Sequence, residues 1–350
     1  MDVYKHMADF RKMFGNNPTR SINKEYYEWK ISDNPYCPGY IYLEFKEGIV
    51  TGATTITPKK IACLGKELMA AELGDGFTHP GYRKQGIFSR CLTKCTEYAI
   101  SEGAYIIYGT PNEQALAIET NLGYPSCQYA KLKSMYKYFS INPLEQAFRR
   151  RFGRKHLSKY LSHVYFYYLS FLSFIQKKKA VLDPLTLEIK SMSQFEDEVD
   201  GLWGLPRKDY VFFVIRDKKY LNWRFFSNPD QYTVLAAKTN NVLLGYIVLK
   251  ISKNEDYCIG SICDFITYQD RIDVFKYLLT EADSFFHKAG VDFIQLLCSL
   301  NSPYFETIRN FGYLIRRDRP IIVYSGTEIG KQIHSTDDKW HFTLADSDNI

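Results

Sequence analysis

The sequence predicts an α/β protein built as two tandem copies of one domain, and three observations carry that reading. The spacing Asn-x(10)-Gly-Tyr occurs twice, as Asn112–Gly123–Tyr124 and as Asn301–Gly312–Tyr313. Each copy lies downstream of a matched signature, Tyr26-x-x-Trp29-x(4)-Asn34-Pro35 and Tyr220-x-x-Trp223-x(4)-Asn228-Pro229. The separations also agree, since Trp29 to Gly123 is 94 residues and Trp223 to Gly312 is 89. Landmarks repeated in one order mark a duplication, and a repeat found first decides how the rest of the chain is divided. A chain of 350 residues has room for two units that each bury a core. The expected division is a first unit at 1–145, a basic aromatic helical linker at 146–184, and a second unit with its tail at 185–350.

The elements follow in order. Residues 3–14 carry apolar side chains at 3, 4, 7, 10, 13 and 14, close to helical period. Residues 40–46 alternate as a strand, and Glu47-Gly48 turns the chain into a hairpin partner at 49–57. Residues 66–78 form a long strand that ends at His79-Pro80-Gly81. Residues 85–101 form a helix with Ile87, Leu92, Cys95, Tyr98 and Ala99 on one face and Gly103 as its stop. A short buried strand at 105–108, flanked by helices in sequence, is of the parallel type. A second helix at 112–121 stops at Gly123. The second half repeats the series: hairpin strands at 234–237 and 243–251, long strand at 261–267, helix at 274–288, short strand at 293–298, and helix at 301–310. Residues 185–189 read as an opening strand with no equivalent in the first half. Each half closes on a final strand, giving an α/β unit with one parallel crossover at its centre.

Composition narrows the function. Hydrophobic residues at 45% and charged residues at 24% describe a globular chain. Residues 1–20 are polar and mixed, so a secretory leader is not expected and the expected location is the cytoplasm. The eight Cys include no Cys-x-x-Cys pair, and the seven His are scattered, so a zinc site is not expected. Reduced, buried thiols are the expectation. The net charge of +6 is concentrated: 149–179 holds nine Lys or Arg and no acid, which leaves the remainder at −3.

One stretch differs between the copies. Arg83-Lys84-Gln85-Gly86-Ile87-Phe88 stands between a strand and a helix in the first copy only. Unpaired backbone N–H groups at a helix start, together with the positive end of the dipole, make an anion site. Gly86 lets the backbone approach a pyrophosphate, and Arg83 and Lys84 add charge-assisted contacts. The bland reading of the same residues is a solvated basic turn.

In context these residues resemble the GNAT acyltransferase superfamily, whose acyl-CoA loop reads Arg/Gln-x-x-Gly-x-Gly/Ala. The passage from Thr78 to Ile87, and Asn112-Glu113-Gln114-Ala115…Leu122-Gly123-Tyr124, resemble that family's strand-to-helix loop and its Asn-x-x-Ala…Leu-Gly-Phe segment. The resemblance covers about 20–140 and, more weakly, 185–325. It implies two tandem GNAT-like domains, each a mixed sheet with splayed parallel strands flanked by helices, the C-terminal copy degenerate. It implies acetyl-CoA as cosubstrate, held by Phe77, Thr78, Arg83, Lys84, Gln85, Gly86, Ile87, Phe88 and Asn112, with no metal. The pantetheine arm would lie between 72–78 and 105–108, where Gly74 and Gly76 permit close approach or mark a plain bulge. Phe88 departs from the family's Gly or Ala. In the second copy, Tyr268-Gln269-Asp270-Arg271-Ile272-Asp273 has no glycine and two acids, which would repel a pyrophosphate.

An ammonium acceptor must lose its proton before it attacks a thioester. The resemblance implies a strand glutamate as base at the position of Glu72. Asp75 is the alternative, on the opposite strand face, and a carboxylate merely paired with Lys or Arg is the structural reading of either. For a general acid, the family's Tyr position holds Glu119, so Tyr124 or Tyr108 would have to serve. The second signature, with Arg216 and Trp223, reads as a core Trp beside a paired Arg, or as a sugar-stacking wall between the copies. The tail at 340–348 resembles endings of tandem GNAT proteins from bacterial surface-polysaccharide loci; it reads as a final strand delivering Asp346 and Asp348 to the substrate, or as a frayed edge.

Residues 161–175 carry no charge and six aromatics, short of the roughly 20 residues of a spanning helix. The segment 148–179 reads as a linker helix packed on both copies, or as a basic helix on an anionic membrane surface. Nucleic acid is not an expected partner, since no recognition motif accompanies the patch. The expected activity is N-acetylation of an amino sugar or glycan precursor amine, small or carrier-linked. The alternatives are an aminoacyltransferase of the peptidoglycan-bridge type and a non-catalytic acyl-CoA-binding module. A polyamine or aminoglycoside acceptor would call for an acidic cleft, for which Asp264, Asp270, Asp273, Asp346 and Asp348 are the available acids.

Overall fold

Two-residue turns with positive φ set the frame of both units. Glu47-Gly48 (φ +53° and +77°) closes the hairpin of β1 (Tyr40–Lys46) and β2 (Ile49–Cys63), and Asn240-Asn241 (φ +48° and +64°) closes that of β8 (Thr233–Thr239) and β9 (Val242–Lys253). Such turns match the twist of paired strands, and Gly and Asn reach these angles at least cost. The structure is a computed structural model and describes residues 24–153, 155–177, 187–204, 210–336 and 339–347. The helix expected at 3–14 lies outside the described residues, as do Asp348 and the first part of the opening strand at 185–189.

Each unit then follows the predicted order. The long strands are β3 (Lys66–Thr78) and β10 (Cys258–Thr267). They lead into helices α1 (Ile87–Ser101) and α5 (Ile272–Lys288). The short strands are β4 (Ile106–Gly109) and β11 (Phe293–Ser299), each parallel to its long strand. The last helices of the two series are α2 (Glu113–Asn121) and α6 (Phe305–Asn310). Strand β2 runs to Cys63, six residues past its expected end. The second-unit opening strand is β6 (Glu188–Met192), on the edge beside β8.

The repeated Gly-Tyr is a helix stop. Gly123 and Gly312 take φ +90° and +89°. The Gly123 N–H donates to Thr120 O and the Tyr124 N–H to Glu119 O; Gly312 and Tyr313 repeat this on Arg309 and Ile308. This is the paired C-terminal closure that a left-handed residue after a helix permits. The repeated Asn-Pro is a turn, in which Asn34 Oδ1 accepts from Tyr36 N–H and Asn228 Oδ1 from Asp230 N–H, 3.0 and 2.9 Å. The repeated Trp is a seam. Trp29 and Trp223 stack at 4.7 Å, and each indole N–H donates to the other's backbone carbonyl, at 2.7 and 3.0 Å.

The architecture is two seven-stranded sheets, each flanked by helices. The linear boundaries at 145 and 185 do not divide them, because the halves exchange strands. β5 (Leu132–Tyr138), from the end of the first half, pairs with β11 in the second sheet. From the second half, β13 (Ile322–Val323) pairs with β4, β7 (Tyr210–Val214) with β2, and β14 (Lys339–His341) with β7, all in the first sheet. β12 (Leu314–Asp318) covers the far side of β5. Edge matching accounts for the exchange: all seven residues of β11 find partners in β5, whereas four-residue β4 is closed by two-residue β13. One apolar cluster, from Tyr27 and Trp29 through Phe212, Tyr220 and Trp223 to Trp340, joins the units. A second cluster lies under α5, and a third under α1.

The segment after β5 forms two helices, α3 (Asn142–Phe152) and α4 (Lys155–Lys177), separated at Gly153 with φ +65°.

Candidate functional site

Pairing between β3 and β4 ends at Glu72 opposite Tyr108. Beyond it β3 runs on to Thr78 with no β4 partner, so the two parallel strands part company as expected. On its other side β3 bulges: Asp75 and Gly76 together oppose Thr54, with Asp75 at φ +46°. A bulge re-aims the strand beyond it. That strand end, with Gly76, Phe77 and Thr78, forms one wall of a cavity of about 360 Å³. The size suits a small-molecule site. Arg83, Lys84, Gly86, Ile87 and Phe88 form the next wall, and Asn112, Gln114, Ala115 and Ile118 the third. Of the nine residues expected at the acyl-CoA loop, Gln85 alone is not in this lining.

The loop presents open backbone donors to the cavity. Lys84 and Gly86 stand at φ +62° and +73°, and Gly86 is the N-cap of α1. Among the described residues, no partner takes the backbone N–H of Lys84, Gln85, Gly86, Ile87 or Phe88. Unpaired N–H groups at a helix start, with Arg83 and Lys84 exposed beside them, attract negative charge. The start of α2 meets the same cavity, its cap made by Asn112 Oδ1 accepting from Ala115 N–H at 2.9 Å. Phe88 explains its own departure from the resemblance. A Cβ on Gly76 would stand 2.6 Å from the Phe88 ring, so the glycine makes room for the phenyl group.

Sequence reasoning missed Arg90. Its guanidinium takes both oxygens of Glu44 on β1, at 2.5 and 3.1 Å, and donates to Gln85 O at 2.8 Å. It braces the loop against the sheet. The signal was available, since an arginine in the first turn of a helix opposes the dipole and needs a dedicated partner.

The proposed proton-transfer residues stand outside this lining. Glu72 is fully buried on β3, with Lys59 Nζ at 3.4 Å, at the point where the parallel strands diverge. Asp75 is held by Lys30 Nζ at 2.5 Å and Thr55 Oγ1 at 3.4 Å. Tyr124 bonds Thr96 on α1 and is buried, which pushes its hydroxyl pKa up. Its counterpart Tyr313 likewise reaches a side chain on α5, Asp283, at 2.8 Å. The same tyrosine does the same packing in both copies. Tyr108 donates to the Asp346 carbonyl at 2.9 Å. Burial pushes the Glu119 carboxyl up to about 7.

The second copy fills the equivalent ground with its own side chains. Asp270 accepts from Tyr210 at 3.1 Å and from Tyr304 at 3.2 Å, in the turn that precedes α5. Asp264 and Asp346 both bind Arg216, at 3.0 and 2.7 Å, with all three buried. Asp273 pairs with Arg271. Asp264 and Asp346 are therefore buried in ion pairs, Asp270 and Asp273 are engaged while partly exposed, and the tail turns Asp346 inward instead of toward a substrate. The sugar-stacking wall is corrected as well, because Trp29 and Trp223 spend their faces on each other.

Residues 2–125 match the family described as acetyltransferase (GNAT) domain. No curated protein matches the chain. Among solved structures, a GCN5-related N-acetyltransferase from Anabaena variabilis superposes with TM-score 0.61 at 11% identity, over 92% of this chain and 70% of that one. A tandem GNAT protein from the clavulanic acid biosynthesis pathway gives 0.56 at 10% identity, over 92% of this chain and 95% of its own. Saccharomyces cerevisiae N-myristoyltransferase with bound myristoyl-CoA gives 0.59 at 12% identity, over 92% and 76%. The fold is that of the GNAT acyltransferases in a two-unit arrangement.

Proposed function

We propose that the chain is an acyl-CoA-dependent N-acyltransferase with one acyl-CoA site, in its first unit. The observation that carries this reading is the set of unpartnered amides from Lys84 to Phe88 at a cavity walled by the end of β3, past its last pairing with β4, and by the start of α2. The pyrophosphate is assigned to the turn at Gly86 and the pantetheine arm to the strand end at Gly76–Thr78. Carbonyl and N–H groups left by the divergence of β3 and β4 are its natural partners. The second copy, with Asp270 in its turn, is read as degenerate and as a supporting unit.

In the reaction, the acceptor nitrogen attacks the thioester carbonyl, a C–N bond forms, and the C–S bond breaks. The ammonium proton must leave first. Glu72 is the base we assign, because it marks the point from which the strands diverge. Asp75, tied to Lys30 and Thr55, is the alternative. A thiolate leaves without much help from an acid, and the matched packing of Tyr124 and Tyr313 gives Tyr124 no separate role.

The acceptor we assign is an amino sugar or glycan precursor amine on an anionic carrier, and acetyl-CoA the donor. Support comes from the cationic stretch at 149–179, which would attract a carrier diphosphate. The deciding experiment is calorimetry with acetyl-CoA and longer acyl-CoAs, followed by thiol release with nucleotide-linked amino sugars, spermidine and aminoglycosides. Binding without thiol release from any amine would make the protein a binding module. Activity confined to the polycations would overturn the sugar acceptor.

A further inference from the structure

The helix α4 wears its side chains inside out. The face turned to the protein holds Ser158 and Ser162, both fully buried, then Leu169 and Ser173, whose hydroxyl donates to Gly312 O at 2.8 Å. The face turned to solvent holds Tyr160, Val164, Tyr167, Tyr168, Phe171 and Phe174, with Tyr160, Tyr167 and Phe171 exposed by 68, 67 and 60%. Positions 160, 164, 167, 171 and 174 form one helical stripe. A soluble helix of ordinary kind places the large apolar groups inside. Here Ser158 and Ser162 fill that place beside Leu169, and Ser173 bonds Gly312 from the same face, which leaves the aromatic stripe outward. A contiguous exposed apolar stripe of this kind marks an interaction surface.

We infer that this stripe lies in the interfacial plane of an anionic membrane. Charge selects the occupant. The stretch 149–179 carries nine Lys or Arg and no acid. Arg151 and Lys159 are exposed, while Arg149 and Arg150 make only surface contacts, with Glu145 and Asp256. Two copies meeting through this face would bring both cationic sets together, and like charges repel. An anionic leaflet attracts them, at about 1 kcal/mol per cation near the surface, equivalent to roughly fivefold in binding for each. The residue types agree: tyrosine has an apolar body and a polar tip and concentrates where hydrocarbon meets water. Among the described residues no helix is long and apolar enough to cross a membrane, so the helix lies flat with its stripe immersed. This inference stands apart from the acyl-CoA site and would survive its failure.

The test is flotation of the whole chain with phosphatidylcholine vesicles and with vesicles that also contain phosphatidylglycerol, at low and high salt. The expected result is flotation with the anionic vesicles only, reversed by salt. The variant Tyr167→Ser/Phe171→Ser/Phe174→Ser should lose flotation. The variant Arg151→Glu/Lys159→Glu should weaken it by about 25-fold or more, since two cations are lost and two anions added. These side chains are exposed, so both variants should keep cooperative thermal unfolding. Absence of flotation with anionic vesicles at low salt overturns the inference. So does a dimer in sedimentation equilibrium that the aromatic variant dissociates while flotation is unchanged.

Discussion

Gly86 holds φ at +73°, where a side chain is strained, and a Cβ there would stand 3.2 Å from Arg90 Nη1. Gly86→Asp adds both a Cβ and a negative charge beside the assigned pyrophosphate. It is expected to abolish acetyl-CoA binding in calorimetry while leaving the fold intact; retained affinity would remove the loop from the site. At Glu72 the expectation is different. Glu72→Gln should lower turnover by about 10²–10⁴-fold, the usual contribution of a positioned base, with little change in acyl-CoA affinity. Turnover that stays at the original level, with the acidic limb of the pH profile kept, would make Glu72 structural and turn attention to Asp75. Glu119 carries a stability prediction. An unfolded glutamate releases its proton near 4.5, whereas burial holds this one up to about 7. Between those values the folded state binds more protons than the unfolded state, so stability falls as pH rises through this window and levels off above it. Glu119→Gln should therefore stabilise the protein at pH 8 by up to about 3 kcal/mol and have little effect at pH 4. Thermal melts at both pH values decide this, and an equal effect at the two would contradict it. At this scale the open turn before α1 was legible, because Arg83–Phe88 combined charge, glycine and position. The engagement of Glu72 by Lys59 and of Asp75 by Lys30 was not, because those partners lie on other elements and no spacing in the chain points to them.

Elements were largely legible because their signals are local. The hairpins announced themselves through Glu47-Gly48 and a strand alternation, and the helix stops through Gly123 and Gly312. The strand Tyr210–Val214 escaped notice because it has no alternation; all five residues are buried, and a buried strand reads as a continuous apolar run. The two copies of the strand-to-helix turn make the sharpest contrast at this level. One leaves its amides open, and the other holds the Asp270 carboxylate with two tyrosines. One acyl-CoA per chain is the expected stoichiometry. Asp270→Ala should leave both the number of sites and the affinity unchanged. A measured stoichiometry near two would refute the single site.

For the whole molecule the duplication was legible and the exchange of strands was not. Repeats are written in spacing, whereas the choice of which edge a tail strand joins depends on matching lengths in space. The expected unit 1–145 would contain β5 without β11 to pair it, and β2 and β4 without β7 and β13. That fragment is expected not to unfold cooperatively, since its apolar faces around Trp29 and Tyr108 would lack Trp223 and Phe212. Trp29→Ala in the full chain should cost about 3–5 kcal/mol, as loss of a large buried aromatic side chain does, read from urea denaturation. A loss below about 1 kcal/mol would show that the seam between the copies contributes little.

The pairing of β4 with β13 also carries a consequence in time. The nucleotides that encode Gly109 and Ile322 are read far apart, and their residues are separated by 213 positions. At about 5–20 residues per second, a ribosome takes on the order of tens of seconds to make the second after the first. During that interval the nascent first half has its Arg83–Phe88 turn and its long strand but an open edge at β4. The half that comes first in sequence is therefore completed last in synthesis. A stall or premature stop before Ile322 would leave behind a first sheet whose β4 edge is never closed.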